Sequence, residues 1–239
     1  MQTGPLSLKR AFSEGFAAFK KQPGMSLGGY LLGYFIGAGV WPFIGGPMAG
    51  GMCKLFLKIA RDENAEIGDL FSCFKDFWKW TGICWLWIPI QVACYLPVIP
   101  LAILNFMPLI LADRPGAPEP PATLVIRVFA VHFSLIFIGT LIFLAAAAKW
   151  GFAFFEGLSG GGVVDAFRRS SELTKGNCLR LWFMLIVLYA FAMAGIFACY
   201  FGAFVTMAIS MNIATAIYLD LKRLQAERSV VSQEITSAE

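Results

Sequence analysis

Two ionisable side chains stand at apolar positions of this sequence and are the first candidates for chemistry. His132 is the only histidine and lies within a long apolar run, and Glu156 lies near the end of that run, in FAFFEGLSGGG. Ionisable groups inside membrane segments often carry protons or bind ions. His132 has neither a second histidine nor a carboxylate one turn away, so we favour a neutral imidazole, either hydrogen-bonded to a neighbouring helix or near the outer headgroups, over a metal site. For Glu156 we favour a structural ion pair, with Lys54, Lys58 or Arg168, over proton coupling.

No residue set in the sequence is typical of an enzyme. Neither a Ser-His-Asp set nor a pair of carboxylates arranged for acid–base catalysis is recognisable, and the Gly160–Gly162 run lacks the preceding strand and the following Lys-Ser/Thr of a phosphate-binding loop. The six cysteines show no CxxC spacing, so we expect small buried side chains rather than a zinc or disulfide framework. We therefore predict a protein that is not an enzyme and has no cofactor.

The composition predicts an all-α membrane protein. Hydrophobic residues make up 58% of the chain and charged residues 14%, against roughly 45–50% and about 25% in soluble domains. The mean hydropathy is +0.70. The first apolar run begins near Leu27, too far along the chain for a cleavable signal peptide. These features predict a polytopic protein of the cytoplasmic membrane.

The basic residues flank the apolar runs, and their placement predicts an orientation. Because short cytoplasmic loops are enriched in lysine and arginine, both termini are expected in the cytoplasm and the proline-rich ADRPGAPEPPAT loop outside. Acidic residues alternate with these basic ones, which argues against nucleic acid as a partner. Five cations on the cytoplasmic segments form what we call the basic collar, a candidate surface for lipids or membrane-protein subunits: Lys75, Lys79, Arg168, Arg169 and Lys175.

The chain reads as three copies of one unit, a cytoplasmic amphipathic helix followed by a transmembrane hairpin. The units cover residues of about 6–62, 67–155 and 163–223, which predicts six transmembrane helices in a single domain, residues 1–225, with a polar, loose tail at 226–239. IGDLFSCFKDFWKW in the second unit aligns without gaps with VVDAFRRSSELTKG in the third, at a constant offset. Asp69 and Asp165 occupy the same place in the two segments, which predicts a role at a helix start.

Details of the apolar runs predict how the spans pack. In the first span, residues 26–44, Gly29, Gly33 and Gly37 clear a stripe for close helix approach, which we expect to be used within the chain rather than for dimerisation. Residues 46–62 are short for a full crossing, so we prefer a short span but keep a re-entrant hairpin as the alternative. Four prolines predict that residues 80–111 are kinked or broken.

Three stretches of the sequence resemble a known family. They are GPMAGGMCKLFLKIARDENAEIGDLFSCFKDF, VVDAFRRSSELTKGN and the terminal IATAIYLDL. Together they resemble a broad group of uncharacterised bacterial polytopic membrane proteins, related to the membrane region attached to some glycerophosphodiester phosphodiesterases. The resemblance implies six spans in a bacterial inner membrane. It implies no activity, because this chain lacks the soluble phosphodiesterase domain.

Two classes of function remain open from the sequence. The first is a scaffold, assembly factor or accessory subunit that binds lipids and membrane partners, which the apolar, glycine-rich helix faces favour. The second is a transporter or lipid-handling permease, because broken helices often line a substrate path. Only Gln91, Tyr95 and Asn105 offer polar groups along the broken run, so we favour the first.

Overall fold

The computed structural model describes residues 6–39, 43–112, 120–197 and 200–238, and their regular structure is helical throughout, as predicted. The ends of two predicted spans, at 40–42 and 198–199, and most of the predicted external loop, at 113–119, lie outside the described residues. In chain order the elements are α1 (Leu8–Lys21), α2 (Pro23–Gly39), α3 (Gly45–Ala60), α4 (Gly68–Phe71), a 3-10 helix (Ser72–Asp76), α5 (Phe77–Tyr95), α6 (Val98–Ala112), α7 (Ala122–Trp150), α8 (Ala153–Gly157), α9 (Val163–Thr174), α10 (Cys178–Phe197) and α11 (Tyr200–Ala238).

Several of these helices are suited to crossing a membrane. Three stretches of the described chain are long and apolar enough: Ala122–Gly157, Cys178–Ile196 and Gly202–Val230. Large apolar side chains on α6 and α7, such as Leu104, Ile126 and Phe133, are 64–68% exposed. Such extensive apolar exposure fits contact with lipid better than contact with water. The protein is therefore all-α, with the features of a multi-pass membrane protein.

A fourth candidate span is broken. The stretches Gly68–Tyr95 and Val98–Leu111 meet at an angle of 52°, and Pro97 lies between them. Proline has no N–H to donate and clashes with the preceding turn, so it ends the helix there. The predicted interruption of residues 80–111 is confirmed.

The helices α2 and α3 are short, with 17 and 16 residues, against the ~20 of a typical span. Most of α3 is nevertheless enclosed by protein. Met48, Leu55 and Phe56 have no exposed surface, and the helix packs against α2, α4 and α11. Its apolar side chains thus form part of an internal core.

The chain divides into two compact units, Met1–Trp85 with Ala147–Glu239, and Leu86–Ala146. In the first unit α11 is the central element and packs on α1, α2, α3 and α10; its Ile213 and Ile217 are fully buried. In the second unit α6 and parts of α5 and α7 are joined by polar contacts. Asn105 donates to the carbonyl of Val128 over 2.7 Å.

The predicted surface segments differ in regularity. The segment at 67–79 is divided into α4, the 3-10 helix and the start of α5. There the hydroxyl of Ser72 donates to the carbonyl of Asp69 (2.7 Å), a local bond that competes with regular helix. The surface segment of the third sequence repeat is one helix, α9. Gly176 follows it with a φ of +81°, the left-handed value that glycine adopts readily. The predicted loose tail at 226–239 instead continues α11 as far as Ala238, because neither proline nor glycine interrupts it.

Candidate functional site

Glu156 is held by an ion pair inside the first unit. It lies on α8 with 1% of its surface exposed, and its Oε1 is 2.7 Å from the Nζ of Lys222 on α11. The neighbouring Phe155 ring stacks on Tyr218 with 4.7 Å between centroids, and Lys222 lies over the same tyrosine ring. The structure thus pairs Glu156 with a residue of the last helix rather than with any of the three basic residues considered from the sequence.

A second buried carboxylate, Asp220, joins α11 to α1. Its Oδ2 accepts from Nη2 and Nε of Arg10, at 2.8 and 2.9 Å, and Arg223 lies 3.5 Å from Oδ1. Asp220 is 1% exposed, whereas the side chain of Arg10 is 23% exposed. Sequence reasoning missed this pair, although a lone acid within IATAIYLDL was a visible signal.

The third buried carboxylate, Asp69, caps a helical turn and binds two lysines. Its Oδ2 accepts from the backbone N–H of Glu66 (3.0 Å) and from Nζ of Lys58 (2.8 Å), and Lys54 lies 3.3 Å from Oδ1. Asp165 makes the same backbone contact, accepting from the N–H of Gly162 at 3.1 Å. The predicted helix-start role of both aspartates is confirmed.

The basic collar is only partly free for ligands. The Nζ of Lys79 donates to the carbonyl of Gly157 (2.6 Å) and Arg169 donates to that of Gly160 (3.1 Å), so both hold the loop after α8. Arg168 pairs with Asp165 at 2.9 Å. Lys75 and Lys175 are exposed, and neither ammonium group makes an ion pair with the residues that the structure describes.

Two clefts in the first compact unit share Lys54 as a lining residue. The first has a volume of about 290 Å³ and the second about 310 Å³. Cations outnumber carboxylates in both linings. Those of the first cleft are Lys54, Lys58 and Arg61, and those of the second are Lys54, Lys75 and Lys79. We call the pair the basic clefts. Lys58 and Arg61 were not predicted as site residues, because sequence spacing alone did not show that they face α8 and α11.

A third cavity, of about 320 Å³, lies between α1, α3 and α11. Its charged lining residues are Glu14, Lys21 and Arg223. Burial raises the pKa of Glu14, and the carboxylate of Asp220 raises it further. Lys21 is already paired with Asp62 at 3.0 Å, so this cavity offers a more nearly balanced set of charges than the basic clefts.

The remaining predicted residues lie in helix contacts. Gly29, Gly33 and Gly37 are buried on α2, and side chains placed there would meet Leu55, Met52 and Met48 of α3. The structure thus uses the glycine stripe for packing within the chain.

His132 lies in the second unit, edge-on to Phe106 with ring centroids 4.9 Å apart. Its Nδ1 is buried and has no hydrogen-bond partner among the described residues. Among all the residues that the structure describes, no three His, Cys, Asp or Glu side chains converge as metal ligands.

The chain matches no family model, and neither the curated proteins nor the solved structures include a match to it. The function proposed for the chain therefore rests on the geometry of its charged side chains.

Proposed function

We propose that this protein is a non-enzymatic scaffold, assembly factor or accessory subunit of a bacterial cytoplasmic membrane. The observation that carries the proposal is a set of three buried carboxylates in the first compact unit. Asp69, Glu156 and Asp220 are each tied to cations of a neighbouring helix. Such an arrangement fixes side chains in place and leaves other cations open to anionic headgroups or to a membrane partner.

We also propose that the fold has six spans in three repeats, with both termini in the cytoplasm. Packing in the first unit supports this topology. The helix α3 packs against α4 and the 3-10 helix, α8 packs against α9, and α11 packs against α1. Each predicted return segment thus contacts the surface helix of the next repeat. The return segment of the third repeat contacts the surface helix of the first. A cyclic order of this kind is what three parallel repeats would produce.

Cysteine labelling tests the orientation. In a chain whose native cysteines are replaced, Pro118→Cys in the external loop should react with an impermeant maleimide on intact cells. Val164→Cys, whose parent residue on α9 is 74% exposed, should react only after lysis. Reaction of Val164→Cys on intact cells would contradict the proposed orientation. Ser170 is unsuitable as the cytoplasmic site, because it is fully buried.

Recovery of partners tests the function. The full chain, purified in mild detergent, should bring with it a fixed set of membrane proteins in constant ratio. Charge reversal at the exposed collar residue Lys175 (Lys175→Glu) should reduce that recovery, whereas Lys9→Glu on α1, outside the collar, should not. A protein that is recovered alone and moves a solute across liposome membranes would overturn the scaffold proposal.

One observation favours the alternative of a transporter or lipid-handling permease. This is the 52° bend between Gly68–Tyr95 and Val98–Leu111, since broken helices line substrate paths in many transporters. Two of the three polar side chains near it are engaged, however. The hydroxyl of Tyr95 hydrogen-bonds that of Thr140 (3.1 Å), and Asn105 binds the backbone of α7. We therefore rank this alternative second.

A further inference from the structure

We propose that the two basic clefts together bind one anionic lipid that carries two phosphodiester groups, with one phosphate in each cleft. The clefts share Lys54 and Leu158 as lining residues, so a ligand can occupy both by passing over this shared wall. The inference rests on the proposed membrane setting, and it names the headgroup class that the scaffold would take.

The charge of the site suits such a headgroup. Five cations line the clefts, against two lining carboxylates, Glu63 and Asp76. Asp69 binds Lys54 and Lys58, and Glu66 also acts electrostatically on Lys58. The lining itself carries three positive charges in excess, and one remains when Asp69 and Glu66 are counted. A lipid with two phosphodiesters carries about two negative charges at neutral pH, one on each phosphate, and so places a negative charge against the cations of each cleft.

The lysines retain donors for phosphate oxygens. An ammonium group has three N–H donors. Lys58 directs two of them to Asp69 and to the carbonyl of Asn64, Lys79 directs one to Gly157, and Lys54 directs one to Asp69. Each therefore has at least one donor left. Asp69 also holds the two lysines of α3 side by side, which reduces the entropy lost when they bind a ligand.

Apolar side chains complete a lipid site. Leu57, Leu158 and Phe155 line the first cleft beside its cations, and Trp80 lines the second. Leu57, Phe155 and Trp80 are already buried, whereas Leu158, which lines both clefts, is half-buried. The first carbons of an acyl chain would contact Leu158, whereas a free diphosphate would leave it in contact with water. The geometry therefore points to a lipid rather than to a soluble phosphate compound.

Native mass spectrometry of the full chain in detergent tests the site. Diphosphatidylglycerol should bind at least about tenfold more tightly than phosphatidylglycerol at equal phosphate concentration, because its second phosphate binds intramolecularly. Lys54→Gln, which removes the shared cation, should weaken binding of the two-phosphate lipid about fivefold. Lys75→Gln should do the same and should also reduce the preference over phosphatidylglycerol.

The controls separate this proposal from its competitors. Lys75 is exposed and unpaired among the described residues, so Lys75→Gln is expected to fold normally. Lys20→Gln removes the same charge from an exposed position of α1 outside both clefts, and it should leave binding unchanged. Equal affinity for the two lipids, equal losses in Lys20→Gln and Lys75→Gln, or displacement by inorganic pyrophosphate would each overturn the proposal. Those results would not alter partner recovery, so a failure here is distinguishable from failure of the scaffold proposal.

Discussion

Arg10→Met is expected to lower the free energy of unfolding by about 3 kcal/mol, because it leaves the buried carboxylate of Asp220 without its main cation. Arg10 supplies both short contacts to Asp220, and the remaining neighbour, Arg223, is 3.5 Å away with 56% of its side chain exposed. Since this pair joins α1 to α11 in addition to their apolar packing, the loss should also loosen α1. Reversible unfolding in mixed micelles measures the change.

A double-mutant cycle supplies the control. Asp220→Leu should cost less than Arg10→Met, because Arg10 is partly exposed and can turn its guanidinium to the interface. The pair Arg10→Met with Asp220→Leu should recover most of the lost stability, as buried ion pairs can be replaced by apolar groups at little cost. Arg168→Ala breaks the exposed pair with Asp165 and should cost less than about 1 kcal/mol. A similarly small loss in Arg10→Met would show that the pair does not hold α1.

The same pair shows where sequence reasoning reached its limit. Arg10 and Asp220 are 210 residues apart, and no periodicity within either helix indicates that the first surface helix packs on the last one. Glu156 shows the same difficulty at closer range. The sequence suggested Lys54, Lys58 or Arg168 as its cation, whereas the actual partner, Lys222, depends on how α11 crosses α8. Local patterns predict helices, and tertiary packing decides which charged groups meet.

Structural features that depend on residues close together in the chain were predicted correctly. The proline-induced break before Val98 and the helix-start positions of Asp69 and Asp165 each depend on near neighbours in the chain. The basic collar was predicted from charge alone. Charge did not indicate that Lys79 and Arg169 donate to backbone carbonyls of the loop after α8, because that loop approaches them only in the folded chain.

Gly51→Ala is expected to disrupt the packing of α3 on α4. A Cβ atom at Gly51 would lie 2.5 Å from the carbonyl carbon of Leu70 and 2.8 Å from its Cα, and backbone atoms cannot turn aside as a flexible side chain can. The two helices would have to separate, and we expect a loss of about 3 kcal/mol or more. The separation would also shift Asp69 away from Lys54 and Lys58 and expose Cys73, which is 6% exposed in the native structure.

Gly28→Ala is the matched control, because a Cβ at Gly28 of α2 meets nothing within 4 Å. It should be neutral or slightly stabilising, since alanine is favoured over glycine within helices by up to about 1 kcal/mol. Unfolding in mixed micelles measures both variants, and mass-spectrometric mapping of thiol labelling reports on Cys73. Faster labelling of Cys73 in Gly51→Ala alone would locate the damage between α3 and α4. Equal stability of the two variants, with Cys73 still protected, would mean that the close approach of Gly51 to Leu70 does not hold these helices together.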